Sequence, residues 1–246
     1  MMNQKNVIGV VAAMESEIAM IKEVENIDDI VTVAGLEFCV GKLKGKDVVV
    51  VQCGMGKVNA TIATQILIER FHAEFIINVG CAGCLNDSLE IGDFVVSKEV
   101  VQHDFDVSVI GFQKGEIPYT GKISFEAEDT LINYAKDAIH KVASNRNIVV
   151  GRICTGDQFI SSDEQKENIL LNYQGDCAEM EGAAVGQTAY LNHVPFVIIR
   201  AMSDKANQQA GSEDFSSYVE QVTKEGAEVV ITMIESIVFL IDYEKI

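Results

Sequence analysis

Val7-Ile8-Gly9-Val10-Val11-Ala12-Ala13-Met14-Glu15-Ser16-Glu17 is the stretch that sets the fold class. Val7–Ala13 runs apolar without alternation, which reads as a strand buried on both faces, as in a sheet covered by helices. The run then breaks at two carboxylates. Downstream the hydrophobic period switches back and forth. Glu37–Val40 and Asp47–Cys53, separated by Gly41, Gly45 and lysines, read as a hairpin meander. Val58, Ile62, Ile66, Leu67 and Phe71 recur at helical spacing. Phe75–Val79, Phe94–Val101, Ile148–Ile153 and Phe196–Met202 read as strands. Glu126–Val142, Glu181–Leu191 and the pattern from Phe215 to Ile241 read as helices. This alternation predicts an α/β protein with helices on both faces of a sheet, and the early meander makes the sheet mixed. No linker, repeat or low-complexity tract interrupts it, so residues 1–246 are expected to form a single domain.

Composition narrows the function. The chain has 37 acidic against 19 basic residues and a net charge of −18. That charge repels phosphate backbones, so no nucleic-acid partner is expected. The longest apolar runs, Val7–Met14 and Ile237–Ile241, are far below the ~20 residues a bilayer span needs. Met1–Lys5 followed by an apolar run superficially resembles a signal sequence. It ends in Glu15-Ser16-Glu17 without a small-residue cleavage pattern, so a first strand, a cytoplasmic location and reduced thiols are expected.

In open α/β sheets, ligands meet the carboxyl ends of strands. Glycine-rich or acidic segments stand at those places: Gly54-Met55-Gly56-Lys57, Gly80-Cys81-Ala82-Gly83, Thr155-Gly156-Asp157-Gln158-Phe159-Ile160, Glu179-Met180-Glu181 and Ser203-Asp204. Gly54-Met55-Gly56 has Asn59 where a dinucleotide fingerprint wants glycine, and no Gly-Lys-Ser/Thr of a P-loop occurs. Cys81-Ala82-Gly83-Cys84 has dithiol spacing, but the other four cysteines are scattered and no second cluster completes a metal site. The four histidines show no metal spacing; His72 and His140 read as solvated helix residues and His103 as a polar loop residue near a strand end. A carboxylate left charged and unpaired among apolar neighbours is costly. Glu17, Glu181 and Asp204, converging on one sheet edge, therefore point to a site.

Seven segments in register resemble the bacterial 5′-methylthioadenosine/S-adenosylhomocysteine nucleosidase family of the nucleoside phosphorylase fold. They are 8–17, 54–60, 78–83, 92–97, 155–160, 179–184 and 194–204, and the resemblance runs from Val7 to about Ile241. It implies a three-layer α/β/α sandwich around a central mixed β-sheet. It also implies hydrolysis of the N-glycosidic bond of methylthioadenosine, S-adenosylhomocysteine and 5′-deoxyadenosine, releasing adenine and the 5-substituted ribose, in methionine salvage and the activated-methyl cycle. No cofactor or metal is implied. By this resemblance Glu17 orients and deprotonates the attacking water, and Asp204 protonates N7 of the departing adenine. Glu181 holds the ribose hydroxyls, with Met180 against the sugar. Phe159 stacks on adenine and the Ile160 backbone reads its edge. Arg200 and Ser203 support the site; Met14, Met55, Ala82 and Gly83 lie against substrate. Cys81 stands near the ribose 3′-hydroxyl, where better-known members carry serine. Asn207-Gln208-Gln209 and Phe215 correspond to a lid over the site. Ile110, Phe112 and Pro118 correspond to a segment by which one subunit of a homodimer completes the other's 5′-substituent pocket.

The chemistry asks for this set independently. Glycosidic cleavage passes through an oxocarbenium-like transition state that nearby carboxylates stabilise, and the leaving base needs an acid. A phosphorylase of the same fold must instead hold a phosphate dianion, for which arginine is the usual clamp. The chain has four arginines, Arg70, Arg146, Arg152 and Arg200, none before residue 70, and its first loop offers Glu15 and Glu17. Water is therefore the expected acceptor; a phosphorylase or a non-catalytic nucleoside binder are the alternatives.

Overall fold

The computed structural model describes residues 6–206 and 213–238, with the backbone path alone for 213–218. The expected first strand, β1 (Val7–Ala12), lies at the heart of the sheet. Val10 and Val11 point to opposite faces and are both fully buried, each such side chain contributing about 1.5–3 kcal/mol of burial. It pairs in parallel with β4 (Lys46–Gln52) on one side and β5 (Ala73–Cys84) on the other. Beyond β4 the meander continues antiparallel through β3 (Leu36–Leu43) to an edge strand, β2 (Asn26–Val33).

On the other side the sheet closes on itself. β5 runs parallel to β10 (Phe196–Lys205), which pairs antiparallel with β6 (Phe94–Gln102). β6 is parallel to β8 (Ile148–Thr155), and β8 to the short β9 (Cys177–Glu179). β9 returns antiparallel to β5 through Gly83↔Ala178 and Cys84↔Cys177. A three-residue strand, β7 (Ser124–Glu126), extends β6 on its free side.

The expected two helical layers are present. α1 (Glu15–Val24), α3 (Asp129–Val142) and α6 (Glu213–Ser236) bury Ile18, Ile139 and Val230 with Val10 and Ile77 on one face. α2 (Lys57–Phe71) and α5 (Gly182–Leu191) bury Leu67 and Val185 with Val11 and Ile76 on the other. α4 (Asp163–Tyr173) caps a smaller cluster with Leu85 and Cys154. Among the described residues no helix is long and apolar enough to cross a membrane.

Several boundaries differ from the sequence reading, and the differences fall at the site. β5 and β10 each extend past their apolar runs, so Gly80–Cys84 and Ser203-Asp204 belong to strands rather than to following loops. Backbone pairing between these two strands sustains them where side-chain pattern does not. Their ladder is interrupted once, between Met202↔Ala82 and Asp204↔Gly83, which leaves Ser203 as the extra residue of a bulge. A bulge turns the following side chain to a new direction, and here that side chain is Asp204. Strand placement also decides the Cys81/Cys84 question: three residues apart on a strand, the thiols face opposite sides about 10 Å apart along the chain and cannot form a dithiol pair.

Candidate active site

Glu17 occupies the first turn of α1, and its carboxylate folds back onto the chain entering that helix. Oε2 accepts hydrogen bonds from the N–H groups of Ala13 (3.0 Å) and Met14 (2.9 Å), and Oε1 accepts from the Cys81 N–H at 3.2 Å. The Met14 N–H is the helix's N-cap donor and the Ala13 N–H belongs to the residue before it, and a carboxylate is favoured at such a helix start. The Cys81 thiol lies 3.8 Å from the same Oε1. Burial is the larger influence and raises the Glu17 pKa despite these donors and the nearby Arg200. Gly80 makes the approach possible, since a Cβ there would stand 2.8 Å from Glu17 Oε1 and 3.3 Å from Arg200 Nη1.

Arg200 rises from β10 and is 1% exposed. Its guanidinium pairs with Glu179 and donates from Nη2 to Asn78 Oδ1 at 2.6 Å. Glu179 also accepts from the N–H groups of Glu181 (3.1 Å) and Gly182 (2.7 Å) and from the Thr155 hydroxyl. One buried ion pair thus joins the ends of β8 and β9 and the middle of β10 to the start of α5. Every charge in it has partners, which is the condition under which a buried pair persists.

Glu181 is placed by that start of α5. Its Oε1 accepts from the Gly56 N–H at 2.7 Å, and its Oε2 lies 4.0 Å from Arg200 Nη2. Gly56 sits at φ +98° and Gly54 at φ +84°, so the turn that offers this N–H needs glycine at both places. Burial, followed by the neighbouring Glu179 carboxylate, pushes the Glu181 pKa up to about 7. Asp204 projects beyond the β10 bulge. Burial raises its pKa, and a 2.7 Å hydrogen bond from the Ser203 hydroxyl to Oδ1 opposes the rise.

Glu17, Glu181 and Asp204 line one cavity of about 210 Å³. Met14, Met55, Cys81, Ala82 and Gly83 share its wall, as do Phe159, Ile160, Met180 and Ser203. Phe159 is 49% exposed, an open aromatic face at the rim. Burial pushes the Cys81 thiol up to about 12, so it faces the cavity protonated. Arg200 lies behind the wall rather than in it. Ile110, Phe112 and Pro118 do not reach the cavity of their own chain, and Ile110 is exposed. The Phe215 side chain and residues 207–209 lie outside the described residues. Ala13, Gln158, Ala178, Glu179 and Val219 join the wall without having been assigned a role from sequence. For Glu179 a signal existed: two carboxylates flanking Met180, and a lone arginine inside an apolar strand that had to be neutralised.

Among the described residues the cavity wall carries four carboxylates and no lysine or arginine. Among the described residues no group of His, Cys, Asp and Glu could hold a metal ion. His103 lies in the turn after β6, as expected, but is buried against Gly156, and burial lowers its pKa.

Comparison with known proteins follows the same lines. The family model described as the phosphorylase superfamily matches residues 7–238. A 5′-methylthioadenosine/S-adenosylhomocysteine nucleosidase of Shewanella frigidimarina is 42% identical over 233 residues, covering 94% of this chain and 99% of that one. The solved structure of the Neisseria meningitidis nucleosidase of that name, in complex with methylthio-immucillin-A, superposes with a TM-score of 0.89 at 34% identity, covering 94% of this chain and 100% of that one. A futalosine hydrolase of Helicobacter pylori superposes with a TM-score of 0.88 at 30% identity, covering 94% of this chain and 98% of that one.

Proposed function

Because the chain belongs to the phosphorylase superfamily, and within it to the 5′-methylthioadenosine/S-adenosylhomocysteine nucleosidases, we propose that its cavity cleaves the N-glycosidic bond of these thio-substituted adenosines with water. The observation that carries this reading is the state of the anion-binding donors. Three backbone N–H groups, those of Ala13, Met14 and Cys81, converge as a phosphate cradle would, and the chain's own Glu17 carboxylate fills them. The adjacent cation, Arg200, is already neutralised by Glu179. Among the described residues a phosphate dianion entering here would meet carboxylates and no free positive charge, at a large desolvation cost.

The same geometry supports a division of labour. Glu17, in the ionised form that its three donors favour against burial, takes a proton from water as it attacks C1′. Glu181, anchored by Gly56, accepts from the ribose hydroxyls, and its negative charge, like that of Glu17, favours the cationic sugar of the transition state. Asp204, its pKa raised by burial, delivers a proton to the departing adenine. Phe159 gives the base a stacking face. Met180 and Met55 enclose the sugar, and the backbone about Ile160 reads the base edge.

We read the active unit as a homodimer. Ile110, Phe112 and Pro118 sit on a loop apart from their own cavity, as expected of residues that complete a neighbour's 5′-substituent pocket. Our reading also keeps residues 1–246 as one domain acting in the cytoplasm, with 5′-deoxyadenosine as a further substrate. Incubation with methylthioadenosine in phosphate-free buffer should release adenine at the rate seen with phosphate present. A strict requirement for phosphate would make the protein a phosphorylase, and binding without any release would make it a nucleoside binder.

A further inference from the structure

We propose that Asp104 is a positioning residue for both walls of the cavity, acting through Lys57 and the Gly156–Ile160 loop; the proposal deepens the nucleosidase reading and rests on it. Asp104 lies in the turn just after β6 and takes no part in the cavity wall. Its Oδ1 accepts from Lys57 Nζ at 2.6 Å, and its Oδ2 accepts from the Asp157 N–H at 2.9 Å. Lys57 and Asp157 are also joined to each other, the Lys57 N–H donating to Asp157 Oδ1 at 2.8 Å. A second bond from Lys57 Nζ, to Gln102 Oε1 at 3.0 Å, fixes the ammonium group to the end of β6.

The positions of these partners give the triangle its meaning. Lys57 follows Met55, in the wall, and Gly56, whose N–H holds Glu181. Asp157 precedes Gln158, Phe159 and Ile160, which form the wall expected to meet the base. One carboxylate outside the cavity therefore ties the sugar side to the base side. The Lys57 and Asp104 side chains are each 18% exposed, so water screens the pair only in part. Burial alone would raise the Asp104 pKa, but the Lys57 and Asp157 donors hold it below the usual carboxylate range. His103 supports the loop from beneath: a Cβ on Gly156 would stand 2.4 Å from His103 Nε2, so the loop lies directly on that buried ring.

Loosening this triangle displaces binding groups without touching Glu17 or Asp204. Ground-state and transition-state contacts should then weaken together, which raises KM and leaves kcat in place. In Asp104→Asn the KM for methylthioadenosine is expected to rise about ten-fold with kcat within about three-fold, and the Kd for adenine by titration calorimetry to rise with it. Lys57→Gln opens the triangle from its exposed side and should give the same split, which serves if Asp104→Asn fails to fold. The double variant should cost less than the sum of the two single ones, because they share the Lys57–Asp104 contact. Unchanged KM and adenine affinity in both variants, or a fall in kcat alone accompanied by a lower Tm, would overturn the proposal. If the wild-type chain released no adenine the nucleosidase reading would fall instead, and the calorimetric comparison would still judge the triangle.

Discussion

Glu17 and Asp204 have pKa values raised by the same cause, burial, and the proposed mechanism uses them in opposite protonation states. Glu17 and Glu181 must both be ionised, so kcat/KM should fall on the acid side as either takes up a proton. Asp204 must be protonated, so kcat/KM should fall on the alkaline side as it loses one; a rate profile with no alkaline limb would separate Asp204 from proton delivery. Asp204→Asn removes the proton donor while keeping shape. Adenine release should drop by about 10²–10⁴-fold, with methylthioadenosine binding by calorimetry largely retained. Near-normal turnover in that variant would exclude it from the mechanism. These carboxylates were legible in the sequence because charged residues abut apolar strands. Arg200 in its apolar strand announced that some carboxylate must neutralise it, but that the partner is Glu179 follows only from folding, which brings the two together.

At the level of elements, α1 joins two unlike ends. Its first turn holds Glu17; its C-cap, Glu25, is buried with neither carboxylate oxygen hydrogen-bonded. Burial, and to a lesser degree Asp28, pushes the Glu25 pKa up to about 7, with Lys22 opposing. A carboxyl whose folded pKa exceeds its unfolded one holds its proton more tightly when folded. Its contribution is therefore complete below the unfolded pKa and is lost as pH rises through the folded one. Glu25→Gln should leave Tm unchanged near pH 4 and, after allowing for solvent screening, stabilise by about 1–2 kcal/mol near pH 8. Thermal melts at the two pH values check the sign. β1 was legible as an unbroken apolar run. α2 was legible as a helix but not in its facing: Val58 and Ile62 of the expected apolar stripe are exposed, and Ala60, Ala63, Thr64 and Leu67 are buried instead. The edge strand β2 was not, because Asn26–Ile30 are exposed and carry no buried face. α1 and α4 bury only a few side chains each, too few for a visible stripe. The expected helix from Phe215 to Ile241 ends at Ser236, and residues 239–241 lie outside the described part of the chain.

For the whole molecule, the exposed apolar residues Val109, Ile110 and Tyr119 lie on the loop we assign to the neighbouring subunit's pocket. Sedimentation should find a dimer, and dilution below its dissociation constant should lower specific activity; a fully active monomer would contradict the assignment. The layered α/β arrangement could be read from alternating periods alone. The closure of β5, β10, β6, β8 and β9 could not, because it passes through the three residues of β9, whose pairing no local pattern announces. That closure has a mechanical corollary. A flat sheet can lose a border strand and keep the remainder, but a hoop yields everywhere or nowhere. Asp204, Cys81 and Glu179 all ride on this hoop, so at concentrations well above the dimer's dissociation constant warming should extinguish adenine release and far-ultraviolet dichroism in one shared step.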